Sequence, residues 1–179
     1  MKLILMGIQG CGKSTQGNLL SKELHLPYLS SGHILREMAK EKTPLGRYIK
    51  ETINSGILVS DKKMAVIMEE YLKRPEYANG WILDGFPRTV EQARDFPHIV
   101  DHVLYLHVSD KEALWRLSYR NDVVREDETL KAIRVRIELF HKVTEPVLTF
   151  YERKKKLLRI DGEQEIKKVN QSILKHLSK

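Results

Sequence analysis

The chain is poor in cysteine. Cys11 is the only one among 179 residues, so no internal disulfide can form. A reducing cytoplasm is the expected compartment. Long apolar runs are missing too. The run near the N-terminus, "LILM" (Leu3–Met6), has four residues, too few for a signal peptide or a membrane span. There is no internal repeat, no low-complexity segment and no linker rich in Gly, Ser or Pro. One domain covering residues 1–179 is therefore expected. Aromatic residues make up only 7% and do not alternate with basic ones as base-stacking surfaces do.

What is present describes a globular chain, 41% hydrophobic and 31% charged. A chain of this length buries roughly two-thirds of its unfolded surface without a covalent staple. The net charge of +7 attracts phosphates of any kind, free nucleotides and nucleic acid alike. Much of it lies in "ERKKKLLR" (Glu152–Arg159) and near the C-terminus, where a solvated helix face explains it as readily.

Five short apolar runs read as strands buried on both faces: "KLILM", "PYLS", "WILDG", "HVLYLHV" and "KLLRID". Helical patterns lie between them, at Ser14 to His25, Asp61 to Lys73, about Asp127 to Tyr151, and about Glu163 to Leu177. "SDKE" (Ser109–Glu112) reads as a capping box opening a helix to about Arg120. The alternation predicts an α/β fold, a five-stranded parallel sheet between two layers of helices. Residues 30–60 break the rhythm and read as a helical insertion.

"GIQGCGKST" (Gly7–Thr15) follows the first strand and opens a helix. Gly7, Gly12, Lys13 and Ser14 fit G-x-x-x-x-G-K-[ST], the P-loop pattern. Glycines let backbone N–H groups turn inward around phosphate oxygens, and the helix N-terminus faces the same anion. Lys13 can reach the β- and γ-phosphates, and the Ser14 hydroxyl can ligate Mg²⁺. Cys11 reads as a small inert residue of the loop rather than a catalytic thiol.

"WILDGFPRT" (Trp81–Thr89) is the second informative stretch. Asp84 falls at the carboxyl end of a strand, a position suited to holding Mg²⁺ through water. Gly85 and Pro87 shape a turn from which Arg88 emerges, and a guanidinium fork suits a phosphate. Arg116 and Arg120 are spaced i, i+4 on one helix face, and Arg125 follows. Arg134 and Arg136 cannot both face inward from one helix.

Together these segments resemble the adenylate kinase family and its nucleoside monophosphate kinase relatives over essentially the whole chain. "LDGFPRTVEQA" (Leu83–Ala93) is the most specific match. "LSSGHILR" (Leu29–Arg36) and "SGILVSD" (Ser55–Asp61) resemble the family's monophosphate-site segments, and "RIELFHKVTEPVLTFY" (Arg136–Tyr151) resembles the helix after its lid. The resemblance implies a P-loop fold with a helical monophosphate-binding insertion at 30–60 and a minimal lid loop at 121–126. It implies the reaction ATP + AMP ⇌ 2 ADP with Mg²⁺ as cofactor.

The same resemblance implies roles residue by residue. Lys13, Arg88, Arg120, Arg125 and Arg136 would be catalytic. Gly10, Cys11, Gly12, Lys13, Ser14, Thr15, Arg116 and Arg120 would bind ATP. Ser31, Arg36, Ile57, Val59, Gly85, Arg88 and Gln92 would bind the monophosphate, and Ser14 and Asp84 would serve the metal. The family's spacing of eleven from Arg125 favours Arg136 over Arg134 as the inward arginine.

Departures from the family pattern are Ser31 and His33, where many members have Thr and Asp, and the lid. Only "NDVV" (Asn121–Val124) separates Arg120 from Arg125, leaving no room for a lid domain and no cysteine there for zinc. Two readings of Gln92 stay open. Its amide can read the adenine edge, or "TVEQ" (Thr89–Gln92) can be a capping box in which Gln92 bonds back to the Thr89 N–H. A UMP or CMP kinase, or a P-loop switch module binding RNA or ribosomal particles, remain the alternatives. The expected partners are ATP and AMP, with no membrane, no nucleic acid, and a monomeric state.

Overall fold

The computed structural model describes residues 1–119 and 129–178. The five apolar runs form β1 (Lys2–Met6), β2 (Tyr28–Ser30), β3 (Trp81–Asp84), β4 (His102–His107) and β5 (Leu157–Asp161). All pair in parallel, in the order β2-β3-β1-β4-β5. β3 is buried along its whole length, so its side chains carry no alternation. β1 is central, with Ile4 beside Leu83 on one side and Val103 on the other. The crossover direction therefore reverses at the end of β1, where open α/β sheets leave a crevice.

Nine α-helices lie among the described residues. They are α1 (Lys13–Leu24), α2 (Ser31–Met38), α3 (Pro44–Asn54), α4 (Asp61–Leu72), α5 (Val90–Asp95), α6 (Asp110–Ser118), α7 (Leu130–Leu139), α8 (Glu145–Arg153) and α9 (Ile166–Leu177). α1 and α9 pack on each other as one layer, and α4, α5 and α8 form another. α2 and α3 pack together within the expected insertion. Leu3, Ile4, Leu5, Ile82, Leu83 and Leu104 have no exposed surface and make the centre of the core. No described helix is long and apolar enough to cross a membrane.

Three local expectations are corrected. The run from about 127 to 151 is not one regular helix, because a π turn (Phe140–Thr144) joins α7 to α8. Pro146 lies two residues beyond its end; proline has no N–H to give, and its ring crowds the carbonyl four residues back, so the turn widens. The last helix starts at Ile166 rather than Glu163. Asp161 holds the backbone N–H of Glu163 at 3.0 Å and the Gln164 amide at 3.0 Å, shaping a turn instead. The capping box at Ser109 is half made. Ser109 Oγ accepts from the Glu112 N–H, but the Glu112 carboxylate turns to Arg116 and the Ser109 N–H goes to Glu163.

Candidate active site

The P-loop runs from the end of β1 into α1. Gly7 has φ +148°, and a side chain there would strike the Leu106 carbonyl and the Cys11 sulfur. Gly12 has φ +94° with open space around it, so here backbone conformation, not crowding, demands glycine. Gly12 also caps α1 without a side-chain hydrogen bond. The N–H groups of the first turn are thereby left for an anion. Lys13 Nζ donates to the Gly7 and Ile8 carbonyls at 2.6 and 2.9 Å. Gly10 packs against the Ala113 carbonyl, tying the loop to α6. Cys11 is buried in the core cluster, and its sulfur accepts from Lys13 Nζ at 3.5 Å.

The loop forms one wall of a cleft of about 730 Å³. That size suits small-molecule sites in general. Ser14, Thr15, Ser31, Ile57, Val59 and Gln92 all line it. Arg36, Arg88 and Arg136 reach it from three separate elements, α2, the turn after β3, and α7. Arg88 Nε donates to the Gly85 carbonyl at 2.7 Å, which aims the rest of the fork. Arg136 donates to Gln9 Oε1 at 3.1 Å and to the Ile53 carbonyl at 2.8 Å. Arg134 is exposed, so Arg136 is the inward member of that pair.

Burial lowers the pKa of Arg88; the positive charge of Arg136 and then of Arg36 lowers it further, while Asp84 opposes. An arginine stays protonated regardless. Three guanidinium groups facing one cleft repel each other, and a phosphate relieves that repulsion.

Asp84 ends β3 and is 6% exposed. Its Oδ2 accepts the Tyr28 hydroxyl at 2.6 Å, while Oδ1 has no hydrogen-bond partner among the described residues. An orphaned carboxylate oxygen and the Ser14 hydroxyl, on two residues that line the same cleft, are oxygen donors only, which fits Mg²⁺. Ser31 Oγ is similarly buried without a described partner, at 1% exposure. No group of three or more described His, Cys, Asp or Glu side chains could hold a metal ion.

Gln92 does not bond back to the Thr89 N–H. Thr89 Oγ1 caps α5 by accepting from the Gln92 N–H at 3.1 Å, but Gln92 Oε1 accepts from the Arg88 N–H at 2.7 Å. Its Nε2 donates to Asp61 at 2.7 Å. Each end of the amide keeps one further hydrogen-bonding capacity.

On the α6 side, Glu112 holds Arg116 Nε at 2.6 Å, and Arg116 lines the cleft. Arg120, Arg125 and the loop at 121–126 lie outside the described residues. His33 is exposed on the first turn of α2 and is not part of the cleft lining. Sequence reasoning missed Gln9, Tyr28, Asp61 and Trp115. Only the last left a trace: Trp115 and Tyr119, spaced i, i+4, form an aromatic pair 5.0 Å apart at the cleft.

Fold and loop together define a P-loop nucleotide-binding protein whose cleft is also lined by Arg36, Arg88 and Arg136. Comparison with known proteins narrows this. The family model for adenylate kinase matches residues 5–156. "Adenylate kinase 1" of Nostoc sp. is 37% identical, covering 96% of each chain. The adenylate kinase of Trichodesmium erythraeum is 36% identical, over 100% of this chain and 98% of its own. That of Caldicellulosiruptor bescii is 34% identical over 99% of each. The chain belongs to the adenylate kinase family.

Proposed function

We propose that this cleft carries out ATP + AMP ⇌ 2 ADP, with the loop holding the donor and Arg36 and Arg88 holding the acceptor phosphate. The observation that carries this is the convergence of Arg36, Arg88 and Arg136 on the P-loop cleft. A protein that only binds ATP needs no second cluster of guanidinium groups. The family supports the same reaction.

Little covalent work falls to side chains in phosphoryl transfer. A phosphate monoester dianion is already nucleophilic, so no general base is required. Arg88, braced by Gly85, fixes the acceptor phosphate for in-line attack. Lys13 leaves the Gly7 and Ile8 carbonyls and places its charge beside the group in flight. Arg136 sits between loop and acceptor site, with Gln9 orienting it. Ser14 directly, and Asp84 through water, are the residues that would hold Mg²⁺, whose charge offsets that of the β- and γ-oxygens. Arg120 and Arg125 would add positive charge from the short lid segment, and Arg116 would face the donor base. The α2–α3 segment and Val59 would enclose the acceptor nucleoside.

We also read the protein as a monomer. Among the described residues, the large exposed apolar side chains Val66, Ile99 and Leu130 lie on separate elements, and those grouped on and just after α6, Trp115 and Tyr119, line the cleft. Light scattering of the purified protein checks this.

The decisive measurement is coupled turnover with ATP and AMP, CMP, UMP or GMP at equal concentration. Preferred transfer to AMP is the expected result. Preferred transfer to UMP or CMP would overturn the acceptor assignment, and no transfer to any would overturn the reaction.

A further inference from the structure

Tyr28 belongs to no motif, yet it sits at the junction of the metal-binding groups. β2 pairs with β3 so that Tyr28 lies beside Ile82, two residues before Asp84, and the three side chains share a sheet face. The hydroxyl donates to Asp84 Oδ2 at 2.6 Å, a bond to a carboxylate that 6% exposure nearly removes from water. The hydroxyls of Ser14 and Ser30 also act on the phenol oxygen. One atom thus stands between the residue suited to ligate Mg²⁺ directly and the residue suited to hold it through water.

A second observation is independent. Gly17 lies in the middle of α1, where glycine costs about 1 kcal/mol relative to alanine. A side chain at Gly17 would fall on the Tyr28 ring. The helix that follows the P-loop gives up its own stability to let that ring lie against it. The ring is thereby fixed, and its hydroxyl cannot swing away from Asp84.

We propose that Tyr28 is a positioning residue for the metal site, clamping Asp84 Oδ2 so that the unpartnered Oδ1 faces the hydration shell of Mg²⁺. This rests on the reading of Asp84 and Ser14 as the metal-binding pair. A carboxylate free to rotate presents either oxygen and loses orientation on binding. A clamped one presents a single oxygen and loses little.

The test is Tyr28→Phe, which keeps the ring against Gly17 and removes only the hydroxyl. Two quantities are read: the free Mg²⁺ needed for half-maximal turnover, and the affinity of the protein–ADP complex for Mn²⁺ by electron paramagnetic resonance. Both should weaken roughly tenfold, the lower end of effects seen when a metal ligand loses its orienting partner. Turnover at saturating Mg²⁺ should return to near the wild-type value. Unchanged metal dependence in both measurements would overturn the proposal, even with a lowered Tm, since packing alone would explain that. A turnover loss that excess Mg²⁺ does not restore would overturn it as well. Gly17→Ala is the second variant. It keeps the hydroxyl but displaces the ring, and it should reproduce the weaker Mn²⁺ binding. A wild-type protein with no phosphotransfer would sink the assigned reaction, while Mn²⁺ binding would still decide the role of Tyr28.

Discussion

Arg88 shows how much of the site single residues disclosed. Its place after a strand-ending aspartate predicted a phosphate contact, and the structure puts it in the cleft with Arg36 and Arg136. Arg88→Ala should raise the AMP KM and lower kcat together, by about 10²-fold in kcat/KM, because affinity and alignment are lost at once. Arg88→Lys should recover only part, since an ammonium cannot act as a fork. Normal kcat and KM in Arg88→Ala would remove it from the acceptor site. Gln92 was legible only as a pair of alternatives. Its contacts to the Arg88 N–H and to Asp61 are long-range or cross-turn, and no sequence spacing encodes the second. Gln92→Leu strips a buried partner from each, so a loss of about 1–3 kcal/mol in stability is expected. If the remaining capacity of the amide reads adenine, the KM for AMP should rise more than that for CMP. Thermal denaturation and the acceptor ranking separate the two effects. Tyr28 and Gln9 were illegible for the same reason as Asp61: their partners are set by sheet register and by helix packing, not by neighbours in sequence.

Among elements, strands were the most legible. Each apolar run became one strand, because strands buried on both faces leave an unbroken signature. Helix ends were less so: the last helix starts at Ile166 because Asp161 holds the Glu163 N–H and the Gln164 amide in a turn before it. The π turn between α7 and α8 carries a further consequence. It places His141 so that Nδ1 meets Glu145 and Nε2 meets Asp110, both at 2.9 Å. The ring thus bridges the start of α6 to the start of α8. These two carboxylates hold the His141 pKa above its ordinary value; Tyr105 and Arg159 lie nearby on β4 and β5. A histidine whose folded-state pKa is raised stabilises the fold fully below its unfolded pKa, about 6.5, and ceases to as pH rises through the higher folded value. Because the side chain is 43% exposed, solvent screening keeps the effect small. Tm should therefore fall slightly from pH 6 to pH 8, less so in 1 M salt, and His141→Gln should lose this component. A His141→Gln curve parallel to wild type would show the bridge to be idle. Gly56 tests another junction. With φ +75° and the Ala132 backbone against it, it seats the end of α3 on α7. Gly56→Ala should cost about 1–3 kcal/mol in denaturant unfolding.

At the scale of the whole molecule, the fold class was readable from alternation alone, and the short form of the chain from counting residues between Arg120 and Arg125. The alignment with the Caldicellulosiruptor bescii protein runs over 212 positions against 179 residues here, so that relative carries at least 33 residues without a counterpart. The Nostoc relative aligns over 179 positions, so the family includes chains near this length. If the missing residues are those of a lid, less structure covers the triphosphate. ATP hydrolysis without AMP should then exceed that of the Caldicellulosiruptor bescii protein under equal conditions. Background hydrolysis no higher than that relative's would mean that other residues exclude water, and the aromatic pair Trp115 and Tyr119 at the cleft would be the first to substitute.

The central position of β1 also sets an order of events during synthesis. The strand that leaves the ribosome first finds its partners only when Trp81 and His102 have followed. At 5–20 residues per second, the chain between Met6 and Trp81 takes roughly 4–15 s to appear. For that interval the future centre of the core is an unpaired apolar segment. Its brevity is protective: four consecutive apolar residues, with Lys2 before them and glycine after, fall short of the six or seven that seed cross-β stacking. Lengthening that run would leave the finished sheet unharmed and burden the nascent chain instead.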